Sequence, residues 1–171
     1  MGLVTAQIAL ALGAAAVVAV EPNPFRRSQA ESIGAHTLDP SDDVVSVCRD
    51  LAGRRGGFDV AFEVSGVRGV LPPLLNALRR EATLVTVGYP SEPAAIDLAA
   101  FVNKKGITLR GIFGRRLWDT WEQLLLLLQS GRIELDWLVT HRLSLDEAEA
   151  AVELLTGDAG KVLLVPGTTS R

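Results

Sequence analysis

Cysteine, histidine and aromatic residues are scarce in this chain of 171 amino acids. It contains one cysteine, Cys48, and two histidines, His36 and His141. A single thiol can form neither an internal disulfide nor a zinc site of four thiolates, and this predicts a protein of a reducing compartment, the cytoplasm. Neither histidine has a second histidine or cysteine at the spacing of a ligand pair. We therefore expect no complete metal site within these residues.

The chain also lacks a block of positive charge. Its 17 Lys and Arg residues are outnumbered by 20 Asp and Glu residues, which gives a net charge of -3. This balance argues against nucleic acid as a partner. Residues 1–20 are apolar, but the first positive charge is Arg26, whereas a secretory signal begins with positive charge. Interrupted by Thr5 and Gln7, this alanine-rich run is weakly hydrophobic for a membrane span, so no membrane partner is expected.

Short apolar strands alternate with amphipathic helices over roughly the first 110 residues. Strands are predicted at Ala16–Val20, His36–Leu38, Phe58–Val64, Ala82–Val87 and Ile107–Phe113, and helices at Gly2–Leu12, Pro24–Ile33, Asp42–Leu51 and Val70–Arg80. Asn23 and Ser41 are the predicted N-caps of the second and third helices. This alternation predicts an α/β fold with a doubly wound parallel sheet.

The pattern changes after Gly114. Leu117–Leu128 is predicted to be a long helix, and its apolar run predicts that it is buried or contacts another subunit. The sequence from Ser144 to Glu147 is typical of a capping box, which would open a helix ending near Gly157. A final strand is predicted at Lys161–Val165.

An acidic residue, Glu21, directly follows the first predicted strand. In dinucleotide-binding folds such an acid accepts hydrogen bonds from the ribose hydroxyls of NAD, and its charge repels the additional phosphate of NADP. Glu21 comes about 19 residues after Gly2, close to the spacing of the glycine-rich fingerprint. The strand and the first two glycines of that fingerprint do not precede Gly2. We therefore expect that the chain begins inside the motif and lacks the first, central strand of the sheet.

Four other residues are poor candidates for catalysis. Asp59 and Glu63 lie four residues apart on one strand, and a separation of about 13 Å is too large for a carboxylate pair to act together. His141 beside a strand is more typical of a structural hydrogen-bond donor. Cys48 lies on the apolar face of its helix and is expected to be a small buried hydrophobe.

Several stretches resemble one protein family. MGLVTAQIALALGAAAVVAVEPNPFRR, FDVAFEVSG, TLVTVGYP and GIFGRRLWDTW are similar to the cofactor domain of zinc-type medium-chain alcohol dehydrogenases. The resemblance covers nearly the whole chain, and its second half is most similar to L-threonine 3-dehydrogenases and related polyol dehydrogenases. It implies an incomplete Rossmann-type domain at residues 1–134. Residues 135–171 would be a C-terminal segment that packs on a catalytic domain outside this sequence.

The same resemblance implies a set of NAD-binding positions. Gly2 matches the last glycine of the phosphate-binding turn, Glu21 the ribose-binding acid, and Arg26 a basic position that flanks the adenosine. The nicotinamide face is matched by Val64, Val87, Gly88 and Tyr89. The segment that binds the carboxamide is matched by Gly111 and Phe113, and a basic side chain near the pyrophosphate is matched by Lys161.

By resemblance, the parent protein would be an NAD- and zinc-dependent oxidoreductase that transfers hydride from a secondary alcohol, such as L-threonine or a polyol, and acts as a homo-oligomer. Because the zinc ligands of the family belong to the catalytic domain, we expect no catalytic residue in this chain and no activity from it alone. Two alternatives stay open. One is a zinc-free quinone or enoyl reductase, for which Glu21 disfavours the expected NADPH. The other is a non-enzymatic fragment that mediates subunit contacts through Trp118, Trp121 and Leu124–Leu128.

Overall fold

A computed structural model describes residues 1–114 and 116–167, and every strand pairing in it is parallel. Arg115, within the stretch on which the resemblance rests, lies outside the described residues, as do the last four residues of the predicted C-terminal segment. The chain divides into two compact units, residues 1–2 with 39–120 and residues 3–38 with 121–171. The predicted α/β class with parallel sheets is confirmed. A boundary near residue 134 stays a prediction.

Helices and strands alternate along most of the chain. The helices are α1 (Gly2–Ala11), α2 (Pro24–Ser32), α3 (Val44–Ala52), α4 (Leu71–Ala77), α5 (Asp119–Gln129) and α6 (Ala148–Leu154). The strands are β1 (Val18–Val20), β2 (His36–Leu38), β3 (Phe58–Glu63), β4 (Leu78–Thr86), β5 (Thr108–Gly111), β6 (Val139–Ser144) and β7 (Lys161–Val165).

The unit built from residues 39–120 contains a three-stranded sheet in the order β3-β4-β5. Ala61, Leu84 and Leu109 lie side by side across it. Its core consists of the buried side chains of Leu71, Leu75, Leu78, Ala82, Leu84 and Ile107. Leu75, from α4, is 1% exposed, and Leu84, from the central strand, is fully buried. Helix α4 therefore covers one face of the sheet, as the apolar character of β4 requires.

The unit built from residues 3–38 and 121–171 contains two two-stranded parallel sheets, β1-β2 and β6-β7. Asn23 caps α2 as predicted, since its side chain accepts a hydrogen bond from the backbone N–H of Arg26. The capping box from Ser144 to Glu147 is also present. Both caps were recognisable because their hydrogen bonds join residues only three positions apart.

Several predicted boundaries were wrong. The side chain that caps α3 belongs to Asp43, not Ser41. Leu78–Arg80, predicted as the end of a helix, belongs to β4, because Leu78 is buried and lies opposite Phe58 of β3. Strand β6 was not predicted, because three consecutive polar residues, Thr140–Arg142, interrupt the alternation that marks a strand, although it pairs with β7.

Helix α5 was predicted to be buried or to contact another subunit; it is not buried within this chain, and the subunit contact stays a prediction. None of its residues is buried, and Leu125 and Leu126 are 50% and 64% exposed. The apolar composition of a helix shows that it can be covered, but not which surface covers it.

A separate finding concerns membranes: no helix in the described part of the chain combines the length and the apolar character needed to cross a bilayer.

Candidate functional site

The strands β3, β4 and β5 end at one edge of their sheet. Their pairing places Glu63, Thr86 and Gly111 side by side at the carboxyl ends. In open parallel sheets, ligands bind outside these ends. The predicted positions that the structure gathers at or just beyond this edge are Val64, Val87, Gly88, Tyr89, Gly111 and Phe113. We call it the strand-end edge.

Main-chain hydrogen bonds fix the strand-end edge. The carbonyl oxygen of Glu63 accepts hydrogen bonds from the N–H groups of Val87 at 2.7 Å and Gly88 at 3.0 Å. The carbonyl oxygen of Thr86 accepts one from the N–H of Ile112 at 3.0 Å. Because these bonds continue the ladder past the last strand residues, the loops leave the sheet in fixed positions.

The side chain of Glu63 stabilises the turn after β3. Glu63 is 4% exposed, and its Oε1 accepts hydrogen bonds from the N–H of Ser65 at 2.7 Å, the hydroxyl of Ser65 at 2.6 Å and the N–H of Gly66 at 2.9 Å. Three donors compensate for the burial of this carboxylate. From the sequence, Glu63 was considered only as a partner of Asp59, and this role was not predicted. Its signal was an acid two residues before a Ser-Gly pair.

Two glycines bring the turns after β3 and β4 into close contact. A Cβ atom at Gly88 would lie 2.2 Å from the backbone nitrogen of Gly66 and 2.7 Å from Oε2 of Glu63. A Cβ atom at Gly66 would lie 2.7 Å from the carbonyl oxygen of Tyr89, and the φ of Gly66 is +75°. Both positions therefore require glycine. Gly88 was predicted as a site residue, whereas Gly66 was not, because its need for glycine depends on a contact distant in sequence.

Two aromatic side chains of this set are open to solvent. Tyr89 is 72% exposed and Phe113 is 91% exposed. Val64 and Val87 are half-buried beside them. The strand-end edge thus combines fixed backbone with exposed rings, which can pack on a flat ligand.

The other unit contains the predicted positions Glu21, Arg26 and Lys161. Glu21 directly follows β1, and its half-buried carboxylate accepts a hydrogen bond from the N–H of Asn23 at 3.0 Å. The guanidinium of Arg26 donates to the carbonyl oxygen of Leu155 at 3.1 Å, so part of its donor capacity is used within the unit. Lys161 is the exposed first residue of β7.

Gly2 begins α1, as predicted. A Cβ atom at Gly2 would meet no heavy atom within 4 Å. The first N–H groups of an α-helix have no partner inside the helix, and they favour anions. The residue therefore stands at a helix end with open space around it.

The described residues do not fit a zinc ion. Among residues 1–114 and 116–167, no three side chains of His, Cys, Asp or Glu come together as a ligand set. Burial raises the pKa of the Cys48 thiol, which disfavours the thiolate that binds metals. Nδ1 of His141 is hydrogen-bonded to the hydroxyl of Thr140 at 2.8 Å.

Comparisons with known proteins agree on one family. The family model described as "Zinc-binding dehydrogenase" matches residues 1–130. The L-threonine 3-dehydrogenase of Symbiobacterium thermophilum is 39% identical over 170 residues, which are 97% of this chain and 48% of that protein. The enzyme of the same name from Pyrococcus horikoshii is 36% identical over 169 residues, 96% of this chain and 48% of that protein.

Solved structures of dehydrogenases also match this chain. The crystal structure of 2R,3R-butanediol dehydrogenase from Bacillus subtilis superposes with a TM-score of 0.85 at 32% identity, over 96% of this chain and 48% of that one. The chain thus spans about half the length of the curated relatives it matches.

Proposed function

This chain belongs to the zinc-binding dehydrogenase family, and from that membership we propose that it is the cofactor-binding part of an NAD-dependent alcohol dehydrogenase. The complete enzyme would oxidise a secondary alcohol of the L-threonine or polyol type by hydride transfer. The observation that carries the proposal is the strand-end edge, where three parallel strands end together and Gly66 and Gly88 fix the loops that follow. The names of the relatives support the class of substrate.

The chemistry of the residues present fits a dinucleotide. A carboxylate after β1, oriented by the N–H of Asn23, suits the two hydroxyl donors of an adenosine ribose. Its negative charge disfavours a phosphate at the same place, which is the basis for proposing NAD over NADP. Gly2, at the open end of α1, would approach the pyrophosphate.

At the strand-end edge, the chain would orient the nicotinamide half of the cofactor. Val64 and Val87 would pack on one face of the ring, and main-chain groups near Gly111 would hydrogen-bond the carboxamide. Bound there, the nicotinamide would supply the acceptor for the hydride of the alcohol. The role of these residues is to orient the ring and exclude water from that face.

No step is assigned to zinc within this chain, since the described residues do not offer a ligand set. In zinc-type dehydrogenases the metal polarises the alcohol oxygen. We propose that residues of this chain supply the cofactor half of the site only. The chain alone would then bind NAD without oxidising an alcohol.

Fluorescence titration with NADH and with NADPH tests the cofactor proposal. We expect the chain to bind NADH more tightly than NADPH. Glu21→Ala should weaken NADH binding about tenfold, the loss of about 1.4 kcal/mol of hydrogen bonding, and reduce the preference over NADPH. Glu149→Ala is the matched control, because Glu149 is an exposed acid on α6 of the same unit.

Two outcomes would contradict this proposal. Equal affinity of the Glu21→Ala and unchanged chains for NADH would remove the ribose role of Glu21. A preference for NADPH would favour the quinone or enoyl reductase alternative instead.

A further inference from the structure

A second feature lies at the opposite, amino-terminal end of the β3-β4-β5 sheet. A cavity of about 530 Å³ opens there beside the first residues of β4. Its lining residues are Arg49, Arg55, Gly56, Leu78, Arg79, Arg80, Glu81 and Lys105. Five of these eight carry positive charge and one carries negative charge. We call it the basic cavity.

Part of this charge is neutralised inside the protein. Asp59 accepts hydrogen bonds from Nη1 of Arg55 at 2.8 Å and from Nε of Arg79 at 2.6 Å. The two arginines hold the pKa of Asp59 below its ordinary value, and the hydrogen bond from Arg79 is the largest cause. One carboxylate therefore accepts hydrogen bonds from two guanidinium groups.

The other three cations have no acidic partner among the described residues. Arg80 donates to the carbonyl oxygen of Lys104 at 3.4 Å, and Nζ of Lys105 donates to the carbonyl oxygen of Leu75 at 2.6 Å. These bonds orient the side chains without cancelling their charge. Burial lowers the pKa of Lys105, and repulsion from Arg49 lowers it further. An anion between Arg49 and Lys105 would relieve that repulsion.

The arrangement matches a particular ligand chemistry. Guanidinium groups present paired N–H donors that fit the oxygens of a phosphate, and they stay charged at all physiological pH values. The cavity is open to solvent, since the side chains of Arg49 and Arg80 are exposed, and its volume of about 530 Å³ leaves room for a phosphate group. The excess of positive charge favours an anion with more than one negative charge.

We propose that the basic cavity binds a small multivalent anion of the phosphate class, either inorganic phosphate or the phosphate group of a metabolite, through Arg49, Arg80 and Lys105. The inference is independent of the proposed dehydrogenase role, since the strand-end edge lies at the other end of the same strands.

Calorimetric titration of the full chain with sodium phosphate and with sodium pyrophosphate, at constant ionic strength, tests the proposal. We expect saturable binding of pyrophosphate, weaker binding of phosphate, and none of acetate. The double variant Arg49→Gln/Arg80→Gln should lose at least tenfold in affinity for pyrophosphate, and Arg49→Lys/Arg80→Lys should keep most of it. Arg54→Gln should bind within twofold of the unchanged chain, because Arg54 is exposed beside the cavity and does not line it.

Backbone amide NMR shifts of the unchanged chain provide a test that needs no variant. Pyrophosphate should shift the amide signals of Gly56 and Glu81 at the basic cavity. The amide signal of Gly2 reports separately on the proposed dinucleotide site, where a pyrophosphate would lie. Absence of saturable binding, an unchanged affinity of the glutamine double variant, or shifts confined to Gly2 would each overturn the proposal. If phosphate and pyrophosphate bind equally, free phosphate is the better match; if pyrophosphate binds more tightly, a larger phosphorylated compound is.

Discussion

At the scale of single residues, the strand-end edge depends on two positions without side chains. Gly66 and Gly88 allow the turns after β3 and β4 to approach so closely that a methyl group on either would overlap backbone atoms. The neighbouring carboxylate of Glu63 cannot yield easily, because three hydrogen bonds fix it. Local packing here is thus determined by backbone contacts rather than by side-chain volume.

We predict that Gly88→Ala lowers the free energy of unfolding by about 1–3 kcal/mol, the usual range for an overpacked site. The added Cβ would lie 2.2 Å from the nitrogen of Gly66, so the turn must move. Urea denaturation measures the loss. Gly69→Ala is the control, since its Cβ would meet no atom within 4 Å and its stability should change by no more than about 0.5 kcal/mol. Equal stability of the two variants would show that the turns can separate at little cost.

The sequence could predict some of these residues and not others. Gly88 and Tyr89 were predicted as site residues from the family resemblance, at the end of a recognisable apolar strand. Gly66 and Glu63 were not, because their roles arise from contacts between the loops of two different strands. A pattern read along one segment contains no information about the distance to another.

At the scale of elements, the strongest local signals were reliable and the boundaries were not. Asn23 before a proline correctly predicted the start of α2, because the capping bond spans only three residues. For α3 the same reasoning predicted Ser41 as the N-cap. The structure shows that the side chain of Asp43 accepts the hydrogen bond from the N–H of Ser46 at 3.0 Å. Ser41 instead donates its hydroxyl to Asp39 at 2.7 Å, within the preceding turn.

This difference gives a direct test by paired substitutions. Asp43→Ala should lower the free energy of unfolding by about 1 kcal/mol, because the N–H of Ser46 loses its acceptor. Ser41→Ala should cost less than about 0.5 kcal/mol, since its hydroxyl lies in an exposed turn. Thermal unfolding followed by circular dichroism compares the two. A larger loss for Ser41→Ala would mean that the serine, not the aspartate, determines where the helix begins.

The wrong prediction for residues 78–80 has a tertiary cause. The sequence continues the helical period past Ala77, but Leu78 is 1% exposed and pairs with Phe58 of β3. A strand that begins with a buried leucine next to two arginines has no alternating pattern to distinguish it from a helix end. Glu81, with a φ of +58°, marks the irregular part of this strand.

At the scale of the whole molecule, the fold brings together positive charges that are separated along the sequence. The chain has a net charge of -3 and no basic block, yet α3, the turn before β3, the start of β4 and the loop before β5 bring five cations to one cavity. The expectation that nucleic acid is not a partner rested on the absence of a basic run. Spatial clustering of single charges from four segments is a different property, and only the folded chain reveals it.

A second property at this scale concerns the edge of a sheet. Within the described residues, β3 is paired with β4 on one side and with no strand on the other. Its residues Val60 and Phe62 are 45% and 41% exposed. An open strand edge with exposed apolar residues is a template for pairing with another chain.

We therefore predict that the chain associates at rising concentration and that Val60→Lys slows this association several-fold, because lysine on an edge strand disfavours pairing with another edge. Static light scattering at matched concentrations measures the effect. Val152→Lys is the control. Because Val152 is 65% exposed on helix α6, this substitution removes a similar exposed apolar surface and leaves the strand edge unchanged. If both lysine variants slow association equally, general surface hydrophobicity is the cause. If neither does, the open side of β3 does not pair with other chains, and the exposure of Val60 has no consequence for solubility.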